Sequence, residues 1–367
     1  MRVLVFGING SDYRIENFKK VFKSDLDIEV LEPLLEKYPE NCSILKKICL
    51  RIINGISMIL PLFRSDFVYI PPMTQNCIKI FFAKLLRKKV WTDFYVSLYD
   101  MAVNDRKLCS KTSFRAKVYL KRDCYALKNS DVVIFLNEAE KNYYLNVTGN
   151  SNAKINSVII PLAISQKQKA KLPYFNGKSD VLNLCWTGTF IPLQGLNKIL
   201  YAAKILKERK IKFRFYIIGP DNKNKNMYKE IKKVLGLENE VCFLKIWGNM
   251  NNWIKFVSNK CDISLGIFGD SGKAKTVIAN KVIDGIAFKT PVITAYSTGI
   301  DLYFNGNEDL FLVKNTPEAL AEKIIEVANT NNISIEKHIE NSYKIYDENF
   351  SYQSFRKKTE ECFRRQF

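Results

Sequence analysis

Short runs of β-branched and aromatic residues alternate with helix-length segments along most of the 367-residue chain. In the first half, such runs include RVLVFG at 2–7, FVYI at 67–70 and DVVIFL at 131–136. Strands of a parallel sheet that is covered on both faces read as continuous apolar runs, and the intervening helices provide the crossovers. The alternation therefore predicts an α/β fold with doubly wound parallel sheets.

The alternation is interrupted once, between residues 161 and 180. The stretch PLAISQKQKAKLPYFNGKSD is polar, rich in lysine and broken by Pro and Gly, which is the composition of a linker. The alternation then restarts with VLNLCW at 181–186. We therefore predict two domains, at 1–163 and 181–345, and a C-terminal helix at 346–367 that could pack back on the first domain.

The formal net charge is +20, and much of the excess lies in one region. Residues 41–130 contain 17 Lys or Arg against 5 Asp or Glu. Such a basic surface can bind nucleic acid, anionic lipid or phosphorylated substrates. Because the chain has no recognised nucleic-acid motif, we predict no nucleic-acid partner and favour an anionic membrane surface.

The segment SILKKICLRIINGISMILPLF at 43–63 mixes aliphatic and basic residues. Its longest uncharged run, 52–63, has 12 residues, whereas a membrane-spanning helix needs roughly 20. The segment can lie in the bilayer interface, or it can be an ordinary helix with one solvated face. A second basic stretch, KLLRKKVW at 84–91, favours the interface. We therefore predict peripheral binding at the inner face of the cell membrane.

Nine cysteines are scattered without a C-x-x-C pair, and His338 is the single histidine. This composition is typical of a reducing compartment and offers no pattern of zinc ligands. The start, MRVLVFGING, lacks the longer apolar stretch of a signal peptide. We therefore predict a cytoplasmic protein without a metal site.

Three loops are candidates for ligand binding, because ligands of open parallel sheets lie beyond the carboxyl ends of the strands. The first is GINGS at 7–11, where Gly10 allows close backbone approach but the G-x-G-x-x-G spacing of a dehydrogenase is lacking. The second is GIFGDSGKAKTVIA at 266–279, which leads into the predicted helix of NKVIDGIAFKTPVIT at 280–294. The third, WTGTFIPLQG at 186–195, is expected to face the same crevice.

The second loop and its helix combine the residue types that bind a nucleoside diphosphate. Lys273, Lys281 and the backbone amides of Val277 and Ile278 could hold the two phosphates. Asp284 could accept hydrogen bonds from ribose hydroxyls, since a carboxylate accepts two donors at once. The alternative is a surface helix with a solvent-exposed ion pair between Lys281 and Asp284.

Three blocks of the second half carry a family resemblance: CWTGTFIPLQGLNKILYAAKIL, CDISLGIFGD and ANKVIDGIAFKTPVIT. They resemble the C-terminal half of the family-four retaining glycosyltransferases, and two blocks near 91–107 and 127–145 are more weakly similar to the N-terminal half. The resemblance implies the GT-B fold, with two facing Rossmann-like domains. It also implies transfer of a sugar, with retention, from a UDP- or GDP-linked donor to a glycan or lipid-linked acceptor, without a cofactor.

The chain departs from that family's pattern at several positions. The family has two glutamates eight positions apart, and Thr276 and Asp284 stand there. Asp284 retains a carboxylate for the ribose role, whereas Thr276 lacks the carboxylate that the family uses for its contact with the donor sugar. Thr189 and Gln194 stand where the family often has an Arg and a Lys that bind the phosphates. Lys281 is therefore the first candidate for phosphate binding and Lys273 the second. In the same loop, Gly188 and Thr189 are assigned to the donor site.

A general base could accept the proton of the acceptor hydroxyl, and Asp100 and Asp105 are the candidates. For each of them the alternative is a structural carboxylate. Other functions remain open: a degenerate GT-B protein that binds nucleotide without turnover, which Thr276 suggests, and a basic nucleic-acid-binding protein. A sugar-nucleotide 2-epimerase is disfavoured by the single histidine.

Overall fold

The computed structural model describes residues 1–7, 13–33, 43–164, 181–248 and 250–367. The chain forms two compact units, one of Met1–Ser165 with Tyr352–Phe367 and the other of Gln166–Ser351. Most of the predicted linker, residues 165–180, lies outside the described residues.

The first unit contains a six-stranded parallel sheet. Its strands are β1 (Arg2–Val5), β2 (Glu29–Leu31), β3 (Phe67–Ile70), β4 (Lys89–Asp93), β5 (Val132–Phe135) and β6 (Ser157–Ile159). Their order is β2-β1-β3-β4-β5-β6, and every neighbouring pair is parallel. Since successive residues point to opposite faces, Val3 and Val5 join one core cluster and Leu4 joins another. Both faces of the sheet are therefore buried, as the apolar runs predict.

The helices of the first unit start at polar residues that precede apolar stretches. They are α1 (Tyr13–Lys20), α2 (Ile44–Ser57), α3 (Ile59–Arg64), α4 (Cys77–Leu85), α5 (Leu98–Asp100), α6 (Phe114–Asn129) and α7 (Glu138–Val147). The side chains of Asn76, Ser113 and Asn137 accept hydrogen bonds from the first turns of α4, α6 and α7. These caps satisfy N–H groups that have no partner within the helix.

Arg14 and Asp93 form an ion pair in the interior of the first unit, where they are 1% and 0% exposed. Arg14 Nε donates to Asp93 Oδ2 at 2.6 Å, and the Tyr69 hydroxyl donates to the same oxygen at 2.9 Å. Arg14 Nη1 donates to the carbonyl of Pro161 at 3.0 Å. The pair thus connects α1, β3, β4 and the segment after β6.

Three helices of the first unit expose large apolar side chains, which we call the α2–α4 apolar surface. Its members are Leu45, Ile48, Ile52, Ile53, Ile56, Ile59, Leu60, Phe63, Ile78, Phe81, Phe82 and Leu85. Each has 46% or more of its surface exposed. Across the described ranges, no helix combines the length and the apolar content needed to cross a bilayer.

The second unit contains another six-stranded parallel sheet. Its strands are β7 (Leu182–Thr187), β8 (Phe213–Ile218), β9 (Val241–Leu244), β10 (Ile263–Leu265), β11 (Val292–Ala295) and β12 (Phe311–Val313). Their order is β12-β11-β10-β7-β8-β9, with parallel pairing throughout. The α/β fold with parallel sheets is confirmed.

The helices of the second unit include one that is buried along nearly its whole length. The helices are α8 (Leu196–Glu208), α9 (Lys223–Val234), α10 (Met250–Lys260), α11 (Asn280–Ala287), α12 (Pro317–Asn329) and α13 (Asn332–Asn349). In α11, every residue from Lys281 to Ala287 is buried. The helix packs against β10 and β11 and also against α13. The solvated face assumed for a surface ion pair is therefore covered, and that alternative is wrong.

The last helix, α14 (Tyr352–Gln366), belongs to the first unit. The Phe355 ring lies 4.7 Å from that of Phe18, and the Tyr352 hydroxyl donates to Asp25 at 2.8 Å. The helix begins later than the predicted 346–367 segment, because residues 346–349 complete α13. Phe350 stays with the second unit, where its ring centroid lies 4.9 Å from that of Tyr303.

Candidate functional site

Two of the predicted ligand loops touch each other in the second unit. The loop after β7 ends at Gly195, which has a φ of 62°. A Cβ atom at this position would lie 2.2 Å from the backbone carbon of Phe268, in the loop after β10. The Phe268 N–H donates to the Gln194 carbonyl at 3.2 Å. Because both loops follow carboxyl ends of neighbouring strands, they form one surface at the edge where parallel sheets bind ligands.

Lys281 brings an ammonium group to this edge of the sheet. The residue is 5% exposed, and its Nζ lies 3.8 Å from the centroid of the Trp186 ring. No hydrogen-bond partner within the described residues reaches Nζ. Burial lowers the pKa of Lys281 well below its usual value, while the charge of Asp284 opposes the shift. A ring face attracts a cation but does not neutralise it, so the site favours an added negative charge.

Gly188 lies directly against that ammonium group. A Cβ atom at Gly188 would be 2.8 Å from Lys281 Nζ, 2.6 Å from the Trp186 ring and 2.6 Å from Gln194 Oε1. Gln194 Oε1 also accepts the N–H of Thr189 at 3.0 Å, and Thr189 itself is exposed. The structure thus brings together Gly188, Thr189 and Lys281, although Lys281 is 93 positions from Gly188 in sequence.

Replacing Gly188 by alanine is expected to displace the Lys281 side chain. A methyl group at 2.8 Å from Nζ is closer than van der Waals contact permits, and forced packing of this kind costs about 1–3 kcal/mol. We expect Gly188→Ala to weaken nucleoside diphosphate binding about tenfold or more, as measured by calorimetry. Gly55→Ala is the control, since nothing lies within 4 Å of its added Cβ; equal losses in both variants would refute the assignment.

Asp284 lies on the same helix, one turn beyond Lys281. It is 7% exposed, and burial raises its pKa to about 8 although the charge of Lys281 opposes this shift. Lys281 Nζ donates no hydrogen bond to it. The two groups are therefore buried neighbours without direct pairing, and each can bind a part of a ligand.

The raised pKa of Asp284 makes stability depend on pH. Between an unfolded value of about 4 and the folded value of about 8, the folded protein holds a proton that the unfolded chain releases. Its contribution to stability is complete below about pH 4 and is lost as pH rises through about 8. We expect Asp284→Asn to exceed the wild type in free energy of unfolding by at least about 1 kcal/mol near pH 9, and by nothing below pH 4.

Urea unfolding at a series of pH values measures this difference. In a Lys281→Met background the effect should grow, because the charge that lowers the pKa of Asp284 is removed. A difference that stays constant across the pH range would contradict the assignment.

The backbone before α11 differs from the expected arrangement. Residues Lys273–Lys275 form a 3₁₀ turn, and the Val277 N–H donates to the Lys273 carbonyl at 3.0 Å. This amide is already engaged, which argues against the phosphate contact predicted for Val277. The side chains of Val277 and Ile278 are buried in the core, and the helix starts two residues after Ile278, at Asn280.

Lys273 and Thr276 lie in that 3₁₀ turn and directly after it. Lys273 is 7% exposed, and its turn packs against the one at Pro192–Gln194 in the neighbouring loop. The Thr276 hydroxyl donates to the Lys273 carbonyl at 3.1 Å. Lys273 is therefore placed where the two loops meet, whereas the Thr276 hydroxyl points to the backbone of its own turn.

The two candidate bases lie in the first unit. Asp100 is 1% exposed and accepts hydrogen bonds from Tyr143 at 2.5 Å and from Asn104 at 2.8 Å. Asp105 is 6% exposed and ends a π-helical turn at Met101–Asp105. The donors around Asp100 fit the structural alternative as well as a base held in position. Gly10, the remaining predicted site residue, lies outside the described residues.

Sequence reasoning assigned no role to Trp186, whose ring lies against Lys281. The only signal was its position two residues before Gly188, at the end of a predicted strand. In the part of the chain that the structure describes, no group of three or more His, Cys, Asp and Glu side chains could hold a metal ion.

Comparison with known proteins gives one family match. Residues 168–345 match the family model described as Glycosyl transferases group 1. The chain is also 24% identical to an uncharacterized glycosyltransferase of Methanocaldococcus jannaschii, over 281 residues that cover 76% of this chain and 69% of that protein.

Solved structures of other proteins match the chain over nearly its whole length. Sucrose-phosphate synthase from Thermosynechococcus elongatus has a TM-score of 0.73 and 12% identity, and the match covers 100% of this chain and 99% of that chain. Anabaena HepE in complex with UDP-glucose has a TM-score of 0.70 and 12% identity, with 99% of each chain covered. The fold is thus that of GT-B glycosyltransferase structures. Together, the family match over residues 168–345 and these similarities support a glycosyltransferase with the GT-B fold.

Proposed function

We propose that the protein transfers a sugar from a nucleotide diphosphate sugar to an acceptor hydroxyl, with retention of anomeric configuration. The observation that carries this proposal is the buried ammonium group of Lys281, which lies at a ligand-binding sheet edge without a hydrogen-bond partner in the described residues. A buried charge without a partner costs free energy. A bound diphosphate would supply the missing negative charge and offset that cost.

The residues of the site suit the chemistry of sugar transfer. Negative charge develops on the departing diphosphate, and fixed positive charge that is already in place stabilises it. Lys281 supplies an amine whose protonated form a bound diphosphate favours, and the N-terminus of α11, at Asn280, supplies partial positive charge. Asp284 accepts hydrogen bonds from the ribose hydroxyls. A same-face transfer with retention requires no nucleophile from the protein.

The donor is UDP- or GDP-linked in this proposal, and no cofactor takes part. The UDP-glucose complex of HepE, a protein of the same fold, supports the uridine nucleotide as the first to test. For the acceptor side, Asp100 or Asp105 would accept the proton of the hydroxyl. A carboxylate already oriented by donors such as Tyr143 and Asn104 is suited to this task.

We further propose that the acceptor is a glycan or lipid-linked intermediate of surface polysaccharide synthesis, used at the inner face of the cell membrane. Support comes from the α2–α4 apolar surface, which exposes twelve large side chains in a region with a strong excess of positive charge. Exposed apolar patches with basic residues around them are typical of surfaces that bind anionic bilayers. Sedimentation with vesicles tests this proposal; equal affinity for neutral and anionic vesicles would refute the anionic preference.

Thermal unfolding with added nucleotides tests donor binding, because a ligand that binds the folded state alone raises the melting temperature. We expect UDP or GDP to stabilise the protein by about 2.7 kcal/mol at a concentration 100 times the dissociation constant. Nuclear magnetic resonance of the first product formed from an α-linked donor then tests retention. An inverted anomer would refute that part of the proposal.

A second candidate is a GT-B protein that binds nucleotide sugars without turnover. It is favoured by Thr276, which replaces an acidic residue of the resembled family and directs its hydroxyl to the Lys273 carbonyl. Nucleotide binding without release of UDP or GDP, under conditions that include candidate acceptors, would support this candidate over an active transferase.

A further inference from the structure

A pair of cations lies at the carboxyl edge of the first unit's sheet, outside the predicted site. Lys79, on α4, donates from Nζ to the carbonyl of Phe6 at 2.7 Å. Arg122, on α6, donates from Nε to the carbonyl of Gln75 at 2.9 Å, and its Nη2 donates to the same oxygen. Phe6 directly follows β1, and Gln75 lies in the loop after β3. Each cation is therefore anchored to a loop beyond the end of a central strand.

The two anchoring loops touch each other, so the two cations share one location. β1 and β3 are parallel neighbours, and the Phe6 N–H donates to the Tyr69 carbonyl at 2.8 Å. A Cβ atom at Gly7 would lie 2.4 Å from Thr74 Oγ1. The helices that carry the cations, α4 and α6, also pack against each other. Burial and the charge of Arg122 together lower the pKa of Lys79 to about 8, as expected for two close cations.

The pair is not neutralised by the acidic residue beside it. Among the described residues, neither Lys79 nor Arg122 has an ion-pair partner within 4.0 Å. Asp123 follows Arg122, but its carboxylate accepts hydrogen bonds from Ser97 Oγ and from the N–H groups of Leu98 and Tyr99. That carboxylate is directed into α5 rather than toward the cations. Both residues are half-buried, with part of each side chain exposed.

We propose that Lys79 and Arg122 bind a phosphate group of the acceptor. Arginine presents several donors in a planar fork and lysine adds a point charge, a combination that suits the several oxygens of a phosphate. The position beyond the ends of β1 and β3 is where a parallel sheet binds its ligands. This inference rests on the proposed function and narrows the acceptor to a phosphorylated molecule, either soluble or carried by a lipid.

Binding of two probes to the full chain tests the proposal and separates the two sources. The soluble probe is glycerol 3-phosphate, followed by equilibrium dialysis. The lipid probe is a phosphatidylcholine vesicle with or without phosphatidic acid, and the increment caused by phosphatidic acid is measured by sedimentation. A saturating concentration of UDP or GDP, whichever stabilises the wild type, is present throughout, so that the donor site near Lys281 does not bind the probes.

We expect Lys79→Met and Arg122→Gln each to weaken phosphate binding about tenfold or more, since each removes a hydrogen bond to a charged group. Lys121→Gln removes the same charge from an exposed position beside Arg122 and should change affinity less than about twofold. Lys79→Arg keeps the positive charge and should retain binding. Hydrogen exchange of the β1 and β3 amides that is unchanged from the wild type shows that the first unit of each variant is folded.

Each outcome decides the proposal. Binding of glycerol 3-phosphate that is lost in Lys79→Met and Arg122→Gln supports a soluble acceptor. If the two variants lose only the additional vesicle binding that phosphatidic acid causes, the result supports a lipid acceptor. Absence of binding to both probes, or an equal loss in Lys121→Gln, overturns the cation site, while stabilisation by UDP or GDP leaves the proposed function intact. Failure of both UDP and GDP to stabilise the wild type instead counts against the proposed function.

Discussion

Lys281→Met is expected to lower kcat/KM for sugar transfer on the order of 100-fold or more, which is the usual effect of removing one group that stabilises developing charge. The side chain is 5% exposed and lies 3.8 Å from the centroid of the Trp186 ring. Methionine keeps the length of the side chain and its contact with the ring but removes the charge. The loss should appear mainly in kcat, because charge on the diphosphate increases as the sugar leaves.

Stability distinguishes this effect from unfolding. Replacing a buried, unpartnered ammonium by an apolar group removes a desolvation cost. Lys281→Met should therefore be at least as stable as the wild type in urea unfolding. Lys289→Met is the matched control, since Lys289 also lies over a ring, that of Tyr343 at 4.5 Å, but away from Gly188. An equal loss of activity in the two variants, or a destabilised Lys281→Met, would contradict the role given to Lys281.

Arg14→Met is expected to lower the stability of the first unit by about 3–5 kcal/mol, because it leaves the Asp93 carboxylate buried without its cation. Asp93 is 0% exposed, and its Oδ2 accepts from Arg14 at 2.6 Å and from the Tyr69 hydroxyl at 2.9 Å. The guanidinium also lies 5.7 Å from the centroid of the Phe355 ring on α14. Hydrogen exchange of the β1 and β4 amides measures the loss within the first unit.

Arg356→Met provides the comparison for this prediction. Arg356 forms ion pairs with Asp25 and Glu360, but it is 48% exposed, and exposed pairs contribute about 0–1 kcal/mol. The double variant Arg14→Met with Asp93→Leu should recover part of the stability, since it removes both buried charges. A loss in Arg14→Met no larger than that in Arg356→Met would show that the buried pair does not stabilise the unit.

The elements were predictable from sequence because their signals are local. Apolar runs such as FVYI mark strands that are buried on both faces, and β3 is buried at all four positions. The alternation of strand and helix segments predicts the helices that begin after Asn76 and Ser113, and in the structure both side chains cap those helices. The ends of helices that depend on packing between distant residues were harder to predict from the sequence. The end of α13 and the start of α14 follow from contacts of Phe350 with Tyr303, which is 47 positions away.

The site was predictable in its residue types but not in its environment. A helical wheel assigns Lys281 and Asp284 to a polar face, and polar faces are ordinarily solvated. In the structure both residues are buried and α11 packs against α13, a contact that joins segments about 50 positions apart. The contact of Trp186 with Lys281 is likewise distant in sequence. The Val277 amide donates to a backbone carbonyl because residues Lys273–Lys275 form a 3₁₀ turn. No periodicity in the sequence indicates this turn.

Calorimetric titration of the wild type and Lys281→Met with UDP, GDP and the corresponding nucleosides tests the central claim most directly. We predict that one diphosphate binds the wild type and loses about tenfold or more in affinity in Lys281→Met, while the affinity for its nucleoside is the same in both proteins. The difference isolates the contact between the ammonium group and the phosphates. Equal affinity of both proteins for the diphosphate, or no binding of either diphosphate to the wild type, would contradict the account.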